Sequence, residues 1–395
     1  MPDSTIPAAP IDVRALRERE FPHLGGQPPY LNAASVAPLP ERARRAVDAY
    51  NARRAAVHQL RGDDFEPTLQ RARSAAARLV NASPGEIALL PNTSHGINLA
   101  AQVLPLEQGR RIVVSNFEFP ANVYPWVALA KEGRARVDVV PADALGRPDE
   151  ERLLAEIARG DVGIFALSAV QFATGWNADL VKFGAACREH GAWFVVDAIQ
   201  ALGCIPVDVR AAGVDVLATA GHKWLCGPFG TGFAYVRGEL AESLEPRVVG
   251  WTALQASADL AACVRYRWDF VEHARRFEVG TQAWQDVAGF TEAMELLLET
   301  GIERIRDHVL ALIDPLAAWL AGQEDATVVS PMDAARRSGV FAFRLGDTER
   351  AYAALHRARI GCSLREGAIR IAPHLYNTAD EIGRVMEILE RRDGW

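Results

Sequence analysis

The chain has 395 residues, too many for one simple core, and its 49% hydrophobic and 24% charged residues give the composition of an ordinary globular protein. A net charge of -7 without long runs excludes the concentrated basic face that nucleic-acid binding needs. The N-terminus has no basic-then-apolar signal pattern and no apolar run reaches about eighteen residues, so the expectation is a cytoplasmic protein with no membrane partner.

In chain order, a Pro-containing leader precedes "LPERARRAVDAYNARRAAVHQL", which has helical periodicity, and "PTLQRARSAAARLVNASPGEIALL" repeats it before a turn and a short strand. Strands and helices then alternate: "RRIVVSN", "ARVDVVP", "VGIFALSAV", "AWFVVDA", "VDVLATA" and "GTGFAYVR" read as strands, with "YPWVALAKEG", "DEERLLAEIARG" and "LVKFGAACREHG" as helices. Strands that are apolar at nearly every position predict a mostly parallel sheet covered on both faces. From about residue 287 the texture changes to one long helix, "DVAGFTEAMELLLETGIERIRDHVLALIDPLAAWLAG", followed by short strands, the helix "TERAYAALHRARIG", the strand pair "CSLREGAIRIAP" and a last helix, "TADEIGRVMEILERR". That region predicts a compact α+β unit.

Ligands of such sheets bind beyond the carboxyl ends of the strands, so chemistry is sought there. In "PNTSHGINLAA", Thr93, Ser94 and His95 open a helix, a place suited to a phosphate, with plain capping as the alternative. In "AWFVVDAIQALG", Asp197 follows five apolar residues at the mouth of a buried strand and needs a partner there, and Gln200 lies one turn on. In "ATAGHKWLCGPFGTG", Lys223 is one of three lysines among 43 basic residues, the others being Lys131 and Lys182. Arginine cannot lose its proton, whereas a lysine amine can be made neutral and nucleophilic by its surroundings. "RRFEVGTQAW" adds a Gly280-Thr281 turn. A phosphate cradle, a buried acid and an activatable amine at strand ends are what pyridoxal 5'-phosphate requires: a lysine for its Schiff base, an acid for its pyridine nitrogen and donors for its phosphate.

With "TSHGINLAA", "VVDAIQALG", "GHKWLCGP" and "VGTQ" in that order, the chain resembles the class V aminotransferase group of fold-type I enzymes, from about "PYLNAASVAPLP" to "HLYNTADEI". That group includes cysteine desulfurases, C–S lyases and isopenicillin N epimerase-like proteins. The resemblance implies an α/β fold with a large domain, its mostly parallel seven-stranded-type sheet sandwiched by helices, and a smaller C-terminal α+β domain. It also implies a division into residues 1–20 packing on the small domain, 21–286 binding the cofactor and 287–395. By motif, Lys223 would form the Schiff base and carry protons at the substrate's α-carbon, Asp197 would hold the pyridine nitrogen, and Gln200 would contact the phenolic oxygen. Thr93, Ser94 and His222 would hold the phosphate, with His95 in the same cofactor-binding set. Thr281 would reach the neighbouring subunit's phosphate in a homodimer, and Arg370 would grip the substrate α-carboxylate. No metal is expected.

Departures from the family pattern stand beside these matches. Phe119 occupies the place of the histidine stacked on the ring. Ala220 stands where a phosphate-binding serine is common, with Thr219 adjacent, and only Gln171 is at hand for an asparagine near the cofactor oxygen. Of five widely spaced cysteines, which suit neither disulfides nor zinc, only Cys362 and, less so, Cys226 are candidates for sulfur transfer, and Cys362 lies eight residues before Arg370 in a constrained strand and turn. Trp126, Trp251 and Phe277 line either a pocket or the core; Arg275 and Arg276 read as solvated surface or as anchors for a second acidic group. The expected function is an aminotransferase or C–S lyase that breaks a bond at the α-carbon of an amino acid. An epimerase, a persulfide-forming desulfurase and a non-catalytic ligand-binding scaffold are the alternatives.

Overall fold

The computed structural model describes residues 10–61, 64–259, 261–262 and 264–392. Cys263 and the first nine residues of the predicted N-terminal segment lie outside them.

The elements run α1 (Val13–Glu20), α2 (Glu41–Ala55), α3 (Phe65–Val80), β1 (Ile87–Leu89), α4 (Thr93–Val103), β2 (Arg111–Ser115), α5 (Tyr124–Lys131), β3 (Arg136–Val140), α6 (Glu150–Ala158) and β4 (Val162–Ser168). They continue with α7 (Leu180–Glu189), β5 (Trp193–Asp197), α8 (Val209–Ala212), β6 (Val216–Ala220), β7 (Gly232–Val236), α9 (Gly238–Ser243) and α10 (Trp284–Thr300). The chain closes with α11 (Ile302–Ala321), β8 (Ala326–Val328), β9 (Phe341–Leu345), α12 (Thr348–Arg357), β10 (Ser363–Arg365), β11 (Ala368–Ile371) and α13 (Ala379–Glu390).

Seven strands form one sheet in the order β1-β7-β6-β5-β4-β2-β3. The pairs from β6 to β3 are parallel, and β7 is antiparallel to both β6 and β1. The sheet is apolar on both faces because alternate residues feed two cores. Ile112, Val114, Ile164, Ala166, Val195 and Ala218 face α4 and α5, while Val113, Phe165, Leu167, Phe194, Val196 and Leu217 face the larger core with α3, α7 and α10. Two antiparallel steps cancel, so β1 runs with the parallel strands, and its carboxyl end delivers the start of α4 to the same edge as the ends of β2, β4, β5 and β6. Gly96 lets α4 lie that close: a Cβ there would sit 2.6 Å from the Ala218 Cβ.

A second, antiparallel sheet has the order β10-β11-β9-β8. Helix α1 is tied to α13 by the Arg17–Glu381 ion pair at 2.8 Å, and Phe21 lies 5.0 Å from the ring of Tyr376. The long helix expected from residue 286 to 322 is two helices. Gly301, at φ +89° and ψ 121°, cannot continue the first, and the break lets α10 lie on α2 and α3 while α11 turns to α13 and β8.

Candidate active site

Four neighbouring strands of the large sheet end in candidate groups. Phe119 follows β2, Phe172 follows β4, Asp197 ends β5 and Lys223 follows β6.

Asp197 is 2% exposed. Its Oδ1 accepts from the Ile199 N–H at 3.0 Å, and its Oδ2 is buried with no protein partner. Burial pushes this carboxyl up to about 6, opposed by the Ile199 N–H and by the charge of Lys223. Lys223 is held in a turn whose atoms are engaged on all sides. The Ala37 N–H donates to His222 O at 2.9 Å, Cys226 N–H to Lys223 O at 2.8 Å, and the buried His374 donates from Nε2 to Trp224 O at 2.8 Å, its Nδ1 accepting from Leu375 N–H. Gly203 is required beneath this turn, since a Cβ there would sit 2.2 Å from Trp224 O. Burial pulls the Lys223 amine down to about 8; Arg370 and Arg365 act the same way and Asp197 opposes them. Each of Lys223 and Asp197 shifts the other's proton affinity, so the two side chains lie near one another.

Phe119 is 43% exposed although it belongs to this site, and the Lys223 Nζ lies 5.6 Å from its ring centre. Phe172 meets Phe119 edge-on at 5.3 Å. The small sheet supplies Arg370, 2% exposed, which donates from Nε to Ser363 Oγ at 3.2 Å, from Nη1 to Phe172 O at 2.7 Å and from Nη2 to Ser35 Oγ at 2.9 Å. Among the described residues no carboxylate pairs with this buried guanidinium, which therefore lacks the anion that burial of a charge demands.

At the α4 start, Asn92 caps the helix by accepting from the His95 N–H at 2.9 Å. Thr93 is buried with Oγ1 unpartnered, Ser94 is exposed and His95 is partly buried, its proton affinity lowered by burial. His222, also lowered by burial and then by Lys223, stacks on Phe229 at 5.2 Å. Gln200 turns its amide to Ala34 O at 3.0 Å and accepts from the Trp224 indole N–H at 2.8 Å, which leaves one of its N–H groups uncommitted. Thr281 is exposed in the turn after Gly280, and among the described residues no contact joins it to Lys223.

Several expectations are corrected. Thr219 cannot stand in for a serine at Ala220, because strand alternation puts it on the sheet face opposite Ala218 and α4. Gln171 is taken up elsewhere, with Nε2 donating to Glu118 Oε1 at 3.0 Å. For the aromatics the core reading holds for Trp126 and Phe277, which are fully buried, and not for Trp251, which is exposed. Arg276 is buried rather than solvated, donating to Val271 O and Glu242 O, and Arg275 pairs with Glu66.

Glu118 carries a signal of the same type as Asp197, a lone acid in "NFEFPAN" just past a buried strand, and joins the site without being among the expected residues. It is buried and takes four donors: Ser168 N–H at 2.9 Å, Gln171 Nε2 at 3.0 Å, Asn122 Nδ2 at 3.0 Å and the Ser168 hydroxyl. Burial pushes its carboxyl up to about 7, and the nearby Asp197 pushes the same way. It straps the Phe119 segment to the end of β4. Glu118→Ala therefore strands several buried donors and is expected to cost about 3 kcal/mol of stability. Thermal or denaturant unfolding of the cofactor-free protein checks this, and an unchanged midpoint would remove Glu118 as a strap.

The family model Aminotransferase class-V matches residues 29–385. The chain belongs to this family. It is 30% identical over 317 residues, 80% of its own length and 81% of the relative's, to the uncharacterized aminotransferase YcbU of Bacillus subtilis. It is 29% identical over 391 residues, 92% of this chain and 94% of the relative, to a probable cysteine desulfurase of Methanothermobacter thermautotrophicus. The fold is shared with the cystine C–S lyase C-DES, solved with its product cysteine persulfide, at a TM-score of 0.83 and 23% identity over 94% of this chain and 99% of that one. Class V aminotransferases are pyridoxal 5'-phosphate enzymes, so this chain is an enzyme of that type. The names of its relatives do not favour the epimerase alternative. The residues present fit the cofactor: the unpartnered Asp197 Oδ2 suits a pyridinium N–H, the exposed face of Phe119 suits an aromatic ring, and the Thr93 hydroxyl with the first amides of α4 suits a phosphate. No helix among the described residues is long and apolar enough to cross a membrane.

Proposed function

We propose that this class V enzyme is a lyase that eliminates the β-substituent of a small amino acid, with sulfur the leaving atom, and does not pass sulfur through Cys187, Cys204, Cys226 or Cys362. The observation that carries this reading is the state of its thiols. Among the described residues Cys187, Cys204 and Cys226 are buried, and Cys362 is packed against the core with its thiol pushed up to about 12 by burial, so none is a ready thiolate that can approach and swing away.

Pyridoxal 5'-phosphate, when bound, supplies the electron sink that lets a bond at the substrate α-carbon break. The protein's own groups do the rest. Thr93, Ser94, His95 and His222 would hold its phosphate, Asp197 its pyridine N–H and Gln200, through its remaining N–H, its phenolic oxygen, with Phe119 beside the ring. Arg370 would take the α-carboxylate in a two-pronged contact that fixes the substrate's orientation. The Lys223 amine, its proton affinity reduced toward neutrality, takes the α-proton at Nζ. The Cβ–S electron pair leaves with sulfur as a thiolate, and the released three-carbon enamine reacts with water to give pyruvate and ammonia.

The reading includes a homodimer. Thr281 is exposed, and Trp251, Tyr266, Trp268 and Phe229 are exposed large hydrophobics of the kind a second copy covers; that copy's phosphate site would receive Thr281.

The test is a panel of β-substituted amino acids assayed for pyruvate, released thiol or sulfide, and keto-acid exchange. Pyruvate with stoichiometric thiol is expected; keto-acid exchange without pyruvate would make the enzyme a transaminase. Cys362→Ser is expected to keep its pyruvate and sulfide rates within about twofold, whereas a fall of two orders of magnitude or more, the scale of losing a covalent step, would restore a persulfide relay.

A further inference from the structure

We propose that Arg365 forms a second anion subsite beside Arg370, so that the substrate is an amino acid whose side chain carries a further acidic group such as a carboxylate. This rests on the lyase reading of the same cavity and narrows its substrate class.

The argument begins with strand register. In the β10–β11 hairpin Ser363 pairs with Arg370 and Arg365 with Ala368, so alternation puts Ser363, Arg365, Ala368 and Arg370 on one face of the small sheet. Arg370 reaches Phe172 O and Ser35 Oγ from that face, so it is the face turned to the site. Arg365 is diagonal to Arg370 across the pair, a spacing of roughly 7–8 Å between such positions. The hairpin that holds it is tight: Glu366 and Gly367 form its two-residue loop at φ +47° and +71°, the positive values of a type I′ turn, and a glutamate in that conformation is a strained choice. The position of Arg365 is thereby fixed by the fold rather than by a mobile loop.

Charge completes the case. Most arginines of this chain lie against acids, yet among the described residues neither Arg365 nor Arg370 has a carboxylate within ion-pair distance; Arg365 donates only to Leu364 O, at 2.8 Å. Arg344, on the next strand, has its Nη2 3.4 Å from Glu366 O and adds to the same positive field. Both Arg365 and Arg370 lie near enough to Lys223 to lower its proton affinity. The phosphate donors stand at the start of α4 on the large sheet, so the cofactor's phosphate has its own place. One α-carboxylate satisfies Arg370, and the charge at Arg365 is left for the far end of the substrate.

The experiment compares S-carboxymethyl-L-cysteine with its neutral isostere S-carbamoylmethyl-L-cysteine. Dissociation constants are read from the change in cofactor absorption of the holoenzyme on titration, and kcat/KM from pyruvate release. The wild-type enzyme is expected to bind the acid about tenfold more tightly than the amide, and Arg365→Gln to bring that ratio close to one, the loss expected for one charge-assisted contact. Equal binding by the wild type, or a ratio unchanged in the variant, overturns the subsite. Loss of the cofactor's absorption in Arg365→Gln also overturns it and assigns the arginine to the phosphate. If neither ligand yields pyruvate but the binding ratio behaves as stated, the lyase reading fails and the subsite stands; if both yield pyruvate equally well and bind equally, the reverse holds.

Discussion

Lys223→Ala is expected to lower turnover by three orders of magnitude or more and to leave a protein that loses its yellow colour on gel filtration. The scale follows from removing both a covalent anchor and a proton carrier, which act as a unit and do not substitute for each other. No other amine can take over: Lys182 is exposed and paired with Glu150 at 2.8 Å, and Lys131 lies at the exposed end of α5. The same change should not harm the cofactor-free fold. Lys223 has a folded pKa of about 8 against 10.5 for an ordinary lysine, so between those values the unfolded chain binds more protons and stability rises with pH. Below pH 8 the buried ammonium is a net penalty, and its removal is expected to leave the unfolding midpoint unchanged or higher there. A variant that keeps its colour and turns over would place the chemistry elsewhere.

Arg370→Ala is expected to lower kcat/KM by about 10²- to 10⁴-fold while leaving the bound cofactor's absorption in place. Two charge-assisted hydrogen bonds to a carboxylate, at about 1.5–3 kcal/mol each, account for that range. The guanidinium is pre-aligned by Ser363, Phe172 and Ser35, all neutral acceptors, so its charge is uncommitted until substrate arrives. Arg370→Lys should recover little, because an ammonium cannot reproduce the planar fork. Loss of cofactor with unchanged substrate binding would contradict the role.

Much of the large sheet is legible in the sequence because its strands are apolar without interruption and its helices are periodic, and Asp197 and Lys223 are legible because each breaks such a pattern at a strand end. The break at Gly301 was not, since the apolar periodicity of α10 runs on into α11 and only the backbone angle at one glycine separates them. Glu118 is not legible because three of its four donors, on Ser168 and Gln171, come from the end of β4, 50 and 53 residues away in sequence, which no local pattern displays. The loss of Thr219 as a phosphate donor required knowing which face of β6 looks toward α4, a matter of register rather than of residue type. The second arginine of the hairpin likewise emerged from pairing: Arg365 and Arg370 are five apart in sequence, and only the Ser363–Arg370 register puts them side by side.

The central claim is that one amine, Lys223, faces Asp197 across the cavity that binds the cofactor. With only three lysines in the chain, a single measurement addresses it: load the protein with pyridoxal 5'-phosphate, reduce with borohydride, digest, and locate the phosphopyridoxyl group by peptide mass mapping. A label confined to the peptide bearing Lys223 is the predicted result. Label on Lys131 or Lys182, or none at all, would contradict the account.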